Sequence, residues 1–156
     1  MSFLNTSNNK AALVIGINYT GHSSGELRGC INDTKKIINF LKTQKKIDEI
    51  LYPYIKGTEN YENWKKYYSG STGLFSIVIK SKNRNSIYKF INSLKLFGIG
   101  QSWGGFESLV LYQSHVIQRV YKKYIKPNHH IVRLHIGLED PKDLISDLKK
   151  SLKYIK

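Results

Sequence analysis

Apolar positions recur along this chain with two different periods, and the change of period marks its elements. Residues 1–9 are mostly polar and read as a tail. Ala11 to Ile17 is a continuous apolar run of the length expected for a buried strand. A Gly/Ser/Thr-rich loop follows from Thr20 to Gly25. Asp33 is the expected N-cap of a helix that places Ile37, Ile38 and Leu41 on one face and lysines on the other. That helix must end before Pro53. Residues 53–72 read as an extended connection with Tyr61, Trp64, Tyr67 and Tyr68 as aromatic anchors, closing in a turn at Ser69–Gly73.

Leu74 to Ile79 is rich in β-branched residues and predicts a strand. Ser86 to Phe97 carries Ile87, Phe90, Ile91 and Leu94 at helical spacing, with Gly98 and Gly100 expected to stop it. Leu109–Tyr112 and Ile131–Ile136 predict two more strands. The last helix is the clearest. Asp140 is its N-cap, Pro141 its first residue, and Leu144, Ile145, Leu148, Leu152 and Ile155 its apolar stripe. From residue 73 the order strand, helix, strand, strand, helix predicts an α+β layer, with helices packed on an antiparallel sheet.

Composition narrows the class. With 40% hydrophobic residues among 156, one domain with a real core is the default, with room for a second, very small one. No run approaches the ~20 apolar residues of a membrane span. Met1 to Lys10 lacks the apolar core of an export signal, and the single cysteine, Cys30, forms no internal disulfide. Both point to a cytoplasmic protein with no membrane partner. The net charge of +14 would suit a nucleic-acid or membrane-surface binder. However, 21 of the 25 basic residues are lysines, scattered among abundant Ile, Asn and Tyr. The densest cluster, Lys122, Lys123 and Lys126, interleaves with Tyr121 and Tyr124. A solvated basic surface is the simpler reading, and nucleic acid is not the expected partner.

Two segments can carry chemistry. In Ser102-Trp103-Gly104-Gly105-Phe106-Glu107-Ser108, paired glycines permit a sharp turn or a close ligand approach, and the Trp could wall a pocket. The spacing is not that of a phosphate loop. In Ile131-Val132-Arg133-Leu134-His135-Ile136, strand alternation puts Ile131, Arg133 and His135 on one face and the aliphatic residues on the other. A guanidinium so placed can grip a carboxylate through two parallel hydrogen bonds. His135 itself reads as structural. The five histidines and Cys30 show no metal-binding spacing, so no metal site is expected. No Gly-x-Ser-x-Gly elbow of a serine hydrolase occurs.

At these segments the chain resembles a known family. Residues 47–156 resemble the C-terminal domain of the cystathionine β-lyases, fold type I pyridoxal-phosphate enzymes of cysteine and methionine metabolism. The resemblance is carried by Leu51-Tyr52-Pro53, Trp64-Lys65, Ser69 to Ser76, Leu94 to Phe97, Ser102 to Leu109 and Arg133 to Asp140. It implies that Arg133 binds the substrate α-carboxylate and that Ser102 and Trp103 line the active site. It also implies pyridoxal phosphate as the family cofactor and an amino acid as substrate. The family's Schiff-base lysine, phosphate loop and pyridine-facing aspartate belong to a large domain with no counterpart in this sequence. The expectation is therefore a chain with no catalytic or cofactor-binding residue of its own, inactive alone. It would form a homo-oligomer or join a separate large-domain subunit.

Residues 10–46 resemble something else. Ala12 to Tyr19 and Glu26 to Asp33 are similar to the opening of a metacaspase, a caspase-fold cysteine peptidase. That resemblance implies a short strand–loop–helix fragment, with Cys30 and Asp33 as a remnant of the pocket for basic residues. The peptidase's catalytic His and Cys motifs do not occur.

Overall fold

The structure is a computed structural model and describes residues 29–58, 60–113 and 126–156. The expected tail, the Ala11–Ile17 strand, the Thr20–Gly25 loop and most of the 121–126 basic cluster lie outside the described residues.

Helix α1 spans Gly29–Lys42. Ile37, Ile38 and Leu41 are buried, as the spacing predicts. Asp33 does not cap it, because the helix begins four residues earlier. Its carboxylate pairs instead with Lys36 Nζ one turn on, at 3.0 Å. Strand β1, Ile47–Leu51, was not expected. It carries Asp48 and Glu49 and buries only Ile50, so it has no alternating apolar signal; pairing with the next strand makes it a strand. Helix α2, Tyr61–Tyr67, was also missed, because it buries no residue and so has no apolar stripe.

Strand β2 spans Leu74–Lys80 and helix α3 spans Arg84–Ser93, capped by Asn83, whose side chain accepts from Asn85 N–H. Helix α3 ends before the glycines expected to stop it. The buried Asp147 carboxylate accepts the backbone N–H groups of Lys95 and Leu96 at 2.9–3.1 Å and turns the chain there. Gly98 instead opens the two-residue strand β3, Gly98–Ile99. Strands β4, Leu109–Tyr112, and β5, His129–His135, follow. Helix α4, Pro141–Leu152, starts as predicted, with Asp140 Oδ1 accepting from Lys142 N–H at 2.8 Å.

The five strands lie in the order β1-β2-β5-β4-β3. All neighbours run antiparallel except β3 and β4, so the sheet is mixed at one edge. Phe75 faces Leu134 and Ile77 faces Val132 across β2 and β5, while Val110 of β4 faces Leu134. These side chains are buried in one cluster with Ile37, Leu41, Ile87, Phe90, Leu144 and Leu148 of the helices. Helix α1 packs on α4 and β1, and α3 packs on α4 and β4. The result is one helical layer on one face of the sheet, the α+β architecture the sequence predicts. Alternation sends the other residues of β5 to the opposite face, where Arg133 lies between Ser76 and Leu111.

Candidate functional site

Arg133 rises from the central strand on the face away from the helices, half-buried. Its Nη2 donates to three main-chain carbonyls, of Gly100 at 3.3 Å, Gln101 at 2.6 Å and Ser102 at 3.2 Å. The loop 100–108 thus curls around one end of the guanidinium. Nη1 and Nε have no partner among the described residues. A planar cation held at one nitrogen is already oriented, so less freedom is lost when a carboxylate binds it.

The loop is fastened in turn to the strand that bears the arginine. Gly104 N–H and Gly105 C=O both lie 3.1 Å from His135 Nε2. Glu139 takes Ser108 in both hands: Oε1 accepts from Ser108 N–H and Oε2 from its hydroxyl, each at 2.8 Å. The fully buried Ser108 Oγ also accepts from Gly137 N–H at 2.9 Å. Leu138 N–H donates to Phe106 C=O at 2.8 Å. The contact is so close that a Cβ on Gly137 would stand 2.1 Å from Phe106 O. Gly104 adopts φ +87°, a conformation that side chains disfavour.

The two motifs read from sequence are therefore two halves of one structure. Ser102 touches Arg133 through its carbonyl rather than its hydroxyl. Trp103 follows on the same loop with 39% of its surface exposed. Cys30 sits in the first turn of α1, and the Asp33 carboxylate pairs with Lys36 of the same helix. Sequence reasoning did not foresee the clamp of Ser108, Gly137 and Glu139. The signal for His135 was present, since it lies two residues from Arg133 on the same strand face.

A concavity whose lining does not include Arg133 lies beside the start of β2, a cleft of about 380 Å³ lined by Tyr52, Tyr54, Trp64, Tyr67, Tyr68 and Leu74. Burial pushes the Tyr52 hydroxyl above its ordinary value, and the hydrogen bond from Ser71 opposes that shift. At the other end of β5, His130 Nε2 lies 3.0 Å from Ser81 C=O and Nδ1 lies 2.7 Å from the Tyr112 hydroxyl. The imidazole therefore donates from Nε2 and accepts at Nδ1. Burial holds His130 below its ordinary 6.5, with a smaller push from Arg84 and His129 against the raising effect of the Ser81 carbonyl.

Among the described residues, no group of His, Cys, Asp and Glu could hold a metal ion, and no helix is long and apolar enough to cross a membrane.

The family model described as Cys/Met metabolism PLP-dependent enzyme matches residues 29–153. The chain is 36% identical over 116 residues to cystathionine beta-lyase MetC of Escherichia coli K12, covering 72% of this chain and 29% of that protein. It is 34% identical over 125 residues to the L-alanine/L-glutamate racemase of Wolbachia pipientis wMel, covering 78% of this chain and 30% of that one. Among solved structures, metB from Corynebacterium glutamicum superposes with a TM-score of 0.66 at 26% identity, over 80% of this chain and 32% of the other. The chain thus spans about three-tenths of the length of the curated relatives it matches. The match begins at Gly29 and takes in Cys30 and Asp33. The metacaspase-like reading of these residues gains no support, and Asp33 forms an ordinary surface ion pair within α1.

The described residues do not fit pyridoxal phosphate. Its aldehyde needs a lysine shielded from water, whereas every described lysine is exposed.

Proposed function

Because this chain belongs to the Cys/Met metabolism PLP-dependent enzyme family, we propose that it supplies the part of a pyridoxal-phosphate carbon–sulfur lyase that binds the substrate α-carboxylate. The reaction would be that of a cystathionine β-lyase, releasing homocysteine, pyruvate and ammonia. One observation carries the reading: a half-buried guanidinium pinned at Nη2 by loop carbonyls, with no partner for Nη1 or Nε among the described residues. Every substrate of such an enzyme, lyase or racemase, presents an α-carboxylate. A grip through the Arg133 N–H groups that the loop carbonyls do not take, with Ser102 and Trp103 beside it, recognises the part the substrates share.

The chain is proposed to be inactive by itself. An anchored carboxylate needs the cofactor's electron sink beside it, and the described residues offer no sheltered lysine to hold one. A complementing polypeptide is the second reading, and one observation favours it. Ile99, Trp103, Phe106 and Leu138, all on the loop or its flanks, are 39–69% exposed, an apolar rim suited to burial against another protein. Cys30 and Asp33 have no part in this scheme.

The test uses the whole chain. Titration with L-alanine, followed by ¹⁵N shifts of the Arg133 guanidinium, is expected to move Nη1 and Nε in the wild type and nothing in Arg133→Ala. Pyridoxal phosphate is expected to give no imine absorbance, and cystathionine no pyruvate. An unmoved guanidinium would refute the carboxylate site. Pyruvate from the chain alone would refute its dependence on a second polypeptide.

A further inference from the structure

His135 is the one side chain among the described residues that is hydrogen-bonded to Gly104 or Gly105, the middle of the loop. Arg133 holds the loop's entry and Glu139 its exit. The contact has an unusual form. One nitrogen, Nε2, faces an N–H donor and a C=O acceptor at the same distance, 3.1 Å. It can serve only one at a time: without a proton it accepts from Gly104 N–H, and with one it donates to Gly105 C=O. In either state the other ring nitrogen, Nδ1, is buried with no partner.

Stability alone does not explain such a residue. His135 is 96% buried by its 4% exposure, and its neighbours across the sheet are Leu74 and Leu109. An aliphatic side chain would fill the same place without the penalty of an unmet polar atom. What an aliphatic residue cannot do is grip the Gly104–Gly105 peptide. That peptide directly follows Trp103, and Gly104 adopts a φ of +87°.

We infer that His135 is a positioning residue, which fixes the Gly104–Gly105 peptide and so aims Trp103 beside the carboxylate site of Arg133. The inference deepens the proposed function and rests on it for the carboxylate, but the hold on the loop can be tested without any ligand. In a Trp64→Phe background Trp103 is the sole tryptophan, and acrylamide quenching reports its freedom. His135→Leu is expected roughly to double the quenching constant, as a loop freed from its tie opens locally. The same variant is expected to weaken L-alanine binding about fivefold, the effect of one lost hydrogen bond. His135→Gln, whose amide can both donate and accept, is expected to restore both. Quenching that is unchanged in a folded His135→Leu variant overturns the inference. If that variant fails to fold, a folded His135→Gln variant with the quenching of a free tryptophan overturns it instead. No L-alanine response in any form, with quenching as expected, removes the carboxylate site but not the positioning role.

Discussion

The two faces of the sheet are held by different forces. On the inner face, Phe75, Ile77, Val132 and Leu134 meet three helices through apolar burial alone. On the outer face, the loop 100–108 buries little of its own surface and is held by hydrogen bonds to Arg133, His135, Gly137 and Glu139. Burial is non-directional and tolerates repacking, whereas hydrogen bonds fix angles. The fold therefore rests on one face, and atomic positions are set on the other.

This contrast can be broken most severely from the inner side. Phe90→Ala empties a fully buried site beneath the sheet and is expected to cost about 3–5 kcal/mol, read as a fall in the urea midpoint of unfolding. Gly137→Ala attacks the junction of the two faces by driving a Cβ into Phe106 O. It is expected to cost about 1–3 kcal/mol and to raise Trp103 quenching as well. Glu139→Gln should separate the faces more cleanly. It is expected to lose about 1 kcal/mol of stability while L-alanine binding weakens, because one strong acceptor for Ser108 becomes a donor. An unchanged affinity would show that the clamp matters only to the fold.

A smaller effect comes from His130. Its folded value lies below 6.5, so the fold favours the neutral ring. The stability it contributes is complete above 6.5 and is lost as pH falls through the depressed folded value. Urea midpoints measured from neutral pH downward should fall, and less steeply in His130→Gln. Least of all, Asp33→Ala removes an exposed pair with Lys36 and is expected to change stability by under about 0.5 kcal/mol.

The same contrast explains what the sequence made legible. Elements that bury an apolar stripe, α1, α3, α4 and β2, stand out by spacing, because burial demands that spacing. Strand β1 and helix α2 exist by virtue of neighbours and carry no such mark. At the site, alternation put Arg133 off the aliphatic face, while the roles of Arg133, Ser102 and Trp103 are what the family resemblance implies. Their mutual contact depends on a loop crossing from β3 to β4, which no local pattern records. Asp147 ended α3 from fifty residues away, where a reading of nearby glycines placed the stop too late.

The order of the strands has a consequence for the birth of the molecule. Strand β5 is made last of the five yet lies at the middle of the sheet, between β2 and β4. Until His129–His135 leaves the ribosome, the β1–β2 pair and the β3–β4 pair have no common partner, and each presents a bare edge to other chains. Assembly thus waits on a late, long-range insertion, and the strand that completes it brings Arg133 with it. A nascent chain stalled short of residue 129 should be a ready substrate for chaperones.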